Sequence, residues 1–159
     1  GMAPTQFFWF FCCTIAGIMG GAWASGRLAG KIAPKRQIRH GFTIMVSVSA
    51  INVIANALFT AQPWWALPLI GLFSFGWSLM VPVVTIMVLD LAPDRRGLAS
   101  SLQAVVGSVA NALVAGVLSP LVMHSPLHLA LASAALMSIG LVAWIVVNRP
   151  QPPRAMPGR

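Results

Sequence analysis

The sequence predicts an all-α membrane protein built on five transmembrane helices, and three observations carry that prediction. First, 58% of the 159 residues are hydrophobic and only 8% are charged, whereas water-soluble domains carry about 25% charged residues. Second, the apolar residues gather in five stretches, residues 7–26, 42–61, 65–89, 98–123 and 127–147. At about 1.5 Å per residue each can cross a hydrocarbon layer about 30 Å thick. Third, none of the ten Lys and Arg residues lies inside a stretch, where each would cost about 2.5–3.5 kcal/mol at mid-helix. The short alternating segments of a lipid-facing β-barrel do not occur.

The gaps between stretches set the expected orientation. Arg27, Lys31, Lys35, Arg36 and Arg39 fill the first gap, Arg95 and Arg96 the third, and Arg149, Arg154 and Arg159 follow the last stretch. The second gap (61–65) and the fourth (124–126) hold no Lys or Arg. Cationic loops stay cytoplasmic because carrying them across a bilayer is costly, so the chain is expected to start outside and end in the cytoplasm. The lipid bilayer is thus the first expected partner. The net charge of +8 does not predict a nucleic-acid partner, because the cations are scattered among topogenic loops rather than gathered on one face. Residues 1–147 read as the transmembrane unit, and 148–159, rich in Pro and Arg, as a disordered cytoplasmic tail. No basic segment of a signal peptide precedes the first stretch, so an N-terminal end placed outside implies at least one further helix upstream.

Reactive chemistry is not predicted. Only two acids occur, Asp90 closing the third stretch and Asp94 in the loop after it. Asp94 is expected to cap the fourth helix through backbone N–H groups. Asp90, beside abundant Arg, is expected to form a salt bridge that a conformational change could make and break. His124 and His128 flank Pro126 and have no third ligand, so no metal site is expected. Cys12 and Cys13 are adjacent and diverge on a helix, which makes them small apolar side chains rather than a disulfide. With no catalytic triad, paired carboxylates or Gly-rich phosphate loop, the chain reads as neither an enzyme nor a cofactor carrier.

The helix faces carry more information. Gly17 and Gly21 share a face, as do Ala22 and Gly26, and small residues at that spacing let two backbones approach closely in lipid. Ser108, Ala112, Gly116 and Pro120 form a similar stripe on the fourth helix. Pro68 and Pro82 lie inside the third, and Pro82 removes a backbone hydrogen bond, marking a kink or hinge. Just before it, Phe73 pairs with Trp77 and Ser74 with Ser78, an aromatic and hydroxyl surface suited to an amphipathic organic molecule. Asn52 with Asn56, Asn111, and Gln103 are amides at bilayer depth, where they need polar partners or a water-lined path. The expected substrate surface is Phe73, Trp77, Ser78 and Asn111. Gly17, Gly21, Gly116 and Pro82 are the expected packing and hinge positions.

Two loops resemble a known family. Gly26-Arg27-Leu28-Ala29-Gly30-Lys31 followed by Pro34-Lys35-Arg36 resembles the glycine–basic loop motif of the major facilitator superfamily, which follows helix two and recurs, weakened, after helix eight. Gly30 stands where the motif usually has an acid, which fits the degenerate second copy. The loop from Asp90 to Gln103, with Pro93-Asp94-Arg95-Arg96-Gly97 at its centre, is similar to the loop after helix ten of drug:proton antiporters of the bicyclomycin and chloramphenicol-resistance type.

The resemblance extends to about residue 147. It implies that the five stretches are helices eight to twelve of a twelve-helix transporter in a bacterial inner membrane, partnered by earlier helices of the same transporter. It also implies that the first, third and fourth helices border a substrate cavity and that the second and fifth are peripheral. Gly26, Arg27, Gly30, Asp90, Arg95, Arg96 and Gly97 become the loop residues that switch with conformation. Multidrug efflux by proton antiport is the function implied. No Asp, Glu or His lies deep in the stretches, so the proton carrier is expected outside them. A transporter of sugars or other metabolites remains an alternative, as does a small structural subunit of a membrane complex.

The orientation has a direct check. In a variant whose only cysteine replaces Lys35 or Trp64, a membrane-impermeant maleimide added to intact cells is expected to label position 64 and spare position 35. The reverse pattern would overturn the assignment of sides.

Overall fold

The protein was analysed as a computed structural model, which describes residues 4–58 and 63–148. Five helices are long and apolar enough to cross a membrane, and no strand occurs among the described residues. They are α1 (Pro4–Leu28), α2 (Pro34–Leu58), α3 (Pro63–Asp90), α4 (Arg96–Leu113) and α5 (Pro126–Val147). A 3-10 turn, Pro93–Arg95, leads into α4, which continues through a π-helical turn, Val114–Leu118, into a last α-helical turn, Ser119–Val122. Proline at the first position of α1, α2, α3 and α5 costs no hydrogen bond, because the first-turn N–H groups are unpaired in any helix.

Two boundaries differ from the sequence expectation. α2 begins at Pro34 rather than at residue 42, so Lys35, Arg36 and Arg39 occupy its first turns and only residues 29–33 connect it to α1. Hydrophobicity marks where lipid begins, whereas a helix extends beyond it while long cationic side chains reach into water. The expected end of this span falls at residues 59–62, outside the described residues, and of the tail expected at 148–159 only Asn148 lies within them. Asp94 does not cap α4 as expected. It lies within the 3-10 turn, and the N-cap of α4 is Arg95, with no side-chain cap hydrogen bond.

α3 is the central element. On one side Gly17 of α1 lies against the Gly71 backbone and Ser74, and Gly21 against the Phe75 carbonyl and Ser78. A Cβ placed on Gly71 would in turn stand 3.2 Å from the Cys13 carbonyl oxygen. The pairs ascend together, so α1 and α3 run parallel. On the other side Gly76 meets Gly41 and Met45 of α2, and this register descends, so α2 runs antiparallel. Helices in lipid gain nothing from excluding water, and these glycine patches supply the close approach that holds them instead. Ser78 closes the α1–α3 seam by donating its hydroxyl to the Ile18 carbonyl, 2.8 Å.

α2 has more buried residues than any other helix, along Gln37, Ile38, Gly41, Phe42, Met45, Val48 and Ser49. It lies between α3 and α5. α4 has no buried residue and is joined to α3 through Gln103 Nε2, which donates to Thr85 Oγ1 at 3.2 Å. The small-residue stripe on α4 was expected to be a helix contact, yet nothing lies within 4 Å of a Cβ built on Gly116. No described helix covers that face. The π-helical turn precedes Pro120, which has no N–H to offer Gly116. The widened turn redirects bonding so that the Ser119 N–H reaches the Val114 carbonyl.

These contacts separate the glycines by consequence. Gly17→Ala and Gly21→Ala are each expected to cost about 1–3 kcal/mol, because the added methyl displaces a packed backbone. Gly116→Ala is expected to be neutral or slightly stabilising. Thermal unfolding of the three variants in one detergent measures the contrast.

Candidate functional site

The helix ends that carry Arg27, Lys31, Lys35, Arg36, Arg39, Arg95 and Arg96 meet at one end of the bundle. A cavity of 430 Å³ opens there between the last turns of α1, the start of α2 and the last turns of α3. Its walls are mostly apolar, with Pro82, Val83, Ile86 and Met87 on the α3 side. Ser25, Gln37 and Asp90 supply the polar side chains. Gly26 and Gly30 line the α1 side, and a Cβ on either would meet nothing within 4 Å. The chain leaves α1 at Gly30 with φ +77°, a left-handed conformation that ends the helix without strain only for glycine.

Gln37 is the floor of this site. It is 2% exposed, and its Nε2 donates both to Ser25 Oγ of α1, 2.7 Å, and to the Leu79 carbonyl of α3, 3.0 Å. One amide thus joins three helices. The Leu79 carbonyl can only accept, which fixes the orientation of the amide. Pro82, one turn beyond Ser78, cannot donate to the Ser78 carbonyl. The polar bonds of Ser78 and Gln37 therefore brace α3 at the point where its own ladder is interrupted.

The sequence did not single out Gln37, because its position was assigned to a loop. Pro34 as a helix start was the missed signal. It puts Gln37 in the first turn, on one face with Gly41 and Met45.

The expected switch residues occupy this end in three ways. Gly26, Gly30 and Asp90 border the cavity together. Arg96 pairs with Asp90 at 3.0 Å, with side chains 61% and 57% exposed, so the expected salt bridge is present and is worth about 0.2–1 kcal/mol. Arg27 stacks on Trp23, 4.6 Å from the ring centroid, one turn back on its own helix. Arg95 and Gly97 are exposed at the start of α4 and do not line the cavity.

The expected substrate residues are not brought together. Phe73 borders a separate cavity of 120 Å³ with Ser49, Asn52, Ser74 and Ser133, between α2, α3 and α5. Trp77 is 46% exposed, Ser78 is buried in the α1–α3 seam, and Asn111 is exposed on α4. The 100° turn per residue that makes neighbours diverge separates Trp77 from Ser78. Asn52 and Asn56 do share a face, and Asn56 Nδ2 donates to Asn52 Oδ1 at 2.9 Å. The described residues include no cluster of His, Cys, Asp or Glu able to hold a metal ion.

No protein-family model, curated protein or solved structure matches the chain.

Gln37→Ala leaves the Ser25 hydroxyl buried without this donor and is expected to destabilise the fold by about 1–3 kcal/mol. Asp90→Asn is expected to change stability by less than about 1 kcal/mol. Comparing their unfolding midpoints in detergent distinguishes a structural amide from an exposed and easily broken ion pair.

Proposed function

We propose that the chain forms part of a secondary-active transporter of the major facilitator type, which exports small amphipathic organic molecules by alternating access across a bacterial inner membrane. The cationic end faces the cytoplasm in this reading, where phosphate headgroups and the positive-inside rule favour it.

The supporting observation is the meeting of the two loops at one cavity. Gly26 and Gly30 come from the glycine–basic segment and Asp90 from the acidic–proline–arginine segment, yet all three border the same space. A cavity enclosed by helix ends can open and close if those ends separate. The groups here suit that motion: glycine walls impose no side-chain contact, the Asp90–Arg96 pair is exposed enough to break at little cost, and Pro82 interrupts the α3 ladder beside the cavity. The mostly apolar lining, with a few polar groups, suits an amphipathic molecule. Trp77, Phe73 and Asn111 are proposed to meet substrate on surfaces that further helices of the transporter complete. The proton-carrying group belongs outside these spans, which contain no deeply placed carboxylate.

The experiment is ethidium accumulation in cells expressing the full reading frame that includes this chain. Wild-type protein is expected to lower accumulation, and Trp77→Ala and Asp90→Asn each to restore it severalfold at equal expression. If both variants pump like wild type, the residue roles are wrong. If the wild type leaves ethidium untouched while moving a sugar, the metabolite-transporter reading replaces this one.

A further inference from the structure

A second opening at the cationic end lies on the other side of α2 and shares no residue with the 430 Å³ cavity. It is a groove of 380 Å³ between α2 and α5, with Arg39 at one end and Phe42, Val46, Leu141, Trp144 and Ile145 along its walls. Phe42 packs toward Gly140 of α5, so the start of α2 and the end of α5 lie side by side.

Three features of this groove point to one ligand chemistry. Arg39 precedes the apolar run of α2 by three residues, about 4.5 Å along the axis, which is headgroup depth when Phe42 onward lies in hydrocarbon. Trp144 stands near the end of α5, and tryptophan favours that same interfacial level. Arg39 is exposed, and the ion pair found among the described residues is the one between Asp90 and Arg96. With ten cations and two acids in the chain, Arg39 is open to an anion from elsewhere. The first turns of α2 add the positive end of the helix dipole and the neighbouring Lys35 and Arg36. Thr43 donates its hydroxyl to the Arg39 carbonyl, 2.9 Å, which leaves the Arg39 guanidinium as the charged donor among the groove's lining residues, beside the Ser47 hydroxyl and the Trp144 indole.

We propose that this groove binds an anionic phospholipid, with the phosphate on Arg39 and one acyl chain along Phe42, Val46 and Ile145. A zwitterionic lipid would bring a second cation to an end already crowded with them. A second copy of the chain would do the same with its own cationic end. The proposal requires only that this end of the bundle sits at a lipid headgroup layer, and it stands apart from the transport reading.

The test is native mass spectrometry of the full chain released from detergent containing phosphatidylglycerol or phosphatidylcholine with identical acyl chains. Wild type is expected to retain phosphatidylglycerol about fivefold over phosphatidylcholine, the factor expected for one interfacial cation. Arg39→Gln is expected to lose that preference and Arg39→Lys to keep most of it. Arg36→Gln, outside the groove, is expected to keep most of it. Leu141→Trp, which fills the groove and leaves Arg39 in place, is expected to release the bound lipid.

Equal retention of the two lipids by wild type overturns the proposal, as does an unchanged preference in Arg39→Gln. Displacement of phosphatidylglycerol by equimolar glycerol phosphate overturns it too, since the acyl groove would then contribute nothing. So does a dimer that Leu141→Trp disperses, which would make a second copy the occupant. If Leu141→Trp fails to fold, the Gln and Lys variants at position 39 decide.

Discussion

In a bilayer, two helices stay together only where their surfaces fit better than either fits lipid, and α1 and α3 meet that condition by placing the glycines of α1 against the α3 backbone. Gly17 and Gly21 face Gly71, Phe75 and Ser78 across a seam where a single added carbon collides with backbone. The other polar contacts follow from this approach. Ser78 can reach the Ile18 carbonyl because the two helices are this close, and Ser25 and Leu79 come within range of one glutamine amide for the same reason. Side chains larger than glycine in the seam would put Gln37 beyond reach of one of its two partners, leaving polar groups unsatisfied where water is scarce.

The cavity at the cationic end is a consequence of the same geometry. α1 and α3 run parallel and close over most of their length, yet the wall between them thins to glycine at Gly26 and Gly30 and the α3 ladder is interrupted at Pro82. Close packing and open space therefore alternate along one pair of helices. Gln37 stands at the boundary, with the tight seam on one side and the cavity on the other. A firm segment and a yielding one thus lie next to each other on this helix pair. α4 contrasts with it. No residue of α4 is buried, its small-residue face is uncovered, and its helical ladder is widened ahead of Pro120. The transport reading assigns that surface to contact with further helices.

The sequence by itself determined the number of spans, their order and which of their ends carry positive charge. Those follow from the cost of placing Lys and Arg in hydrocarbon, a penalty each residue meets alone, whatever its neighbours in space. Helix-period spacing likewise identified Gly17 with Gly21 and Asn52 with Asn56, since residues four apart share a face in any α-helix. Asp90 was legible as an ion-pair partner because Arg96 is close along the chain. The tertiary structure decided the remainder. Whether a small-residue stripe is a seam depends on a partner with a matching one: Gly17 finds Gly71, and Gly116 finds nothing. Gln37 became the joint of three helices, and Ser78 a buried tie instead of a cavity wall, because hydrogen-bond reach is set by distances between helices. Those distances belong to pairs of surfaces, and no single stretch of sequence contains both.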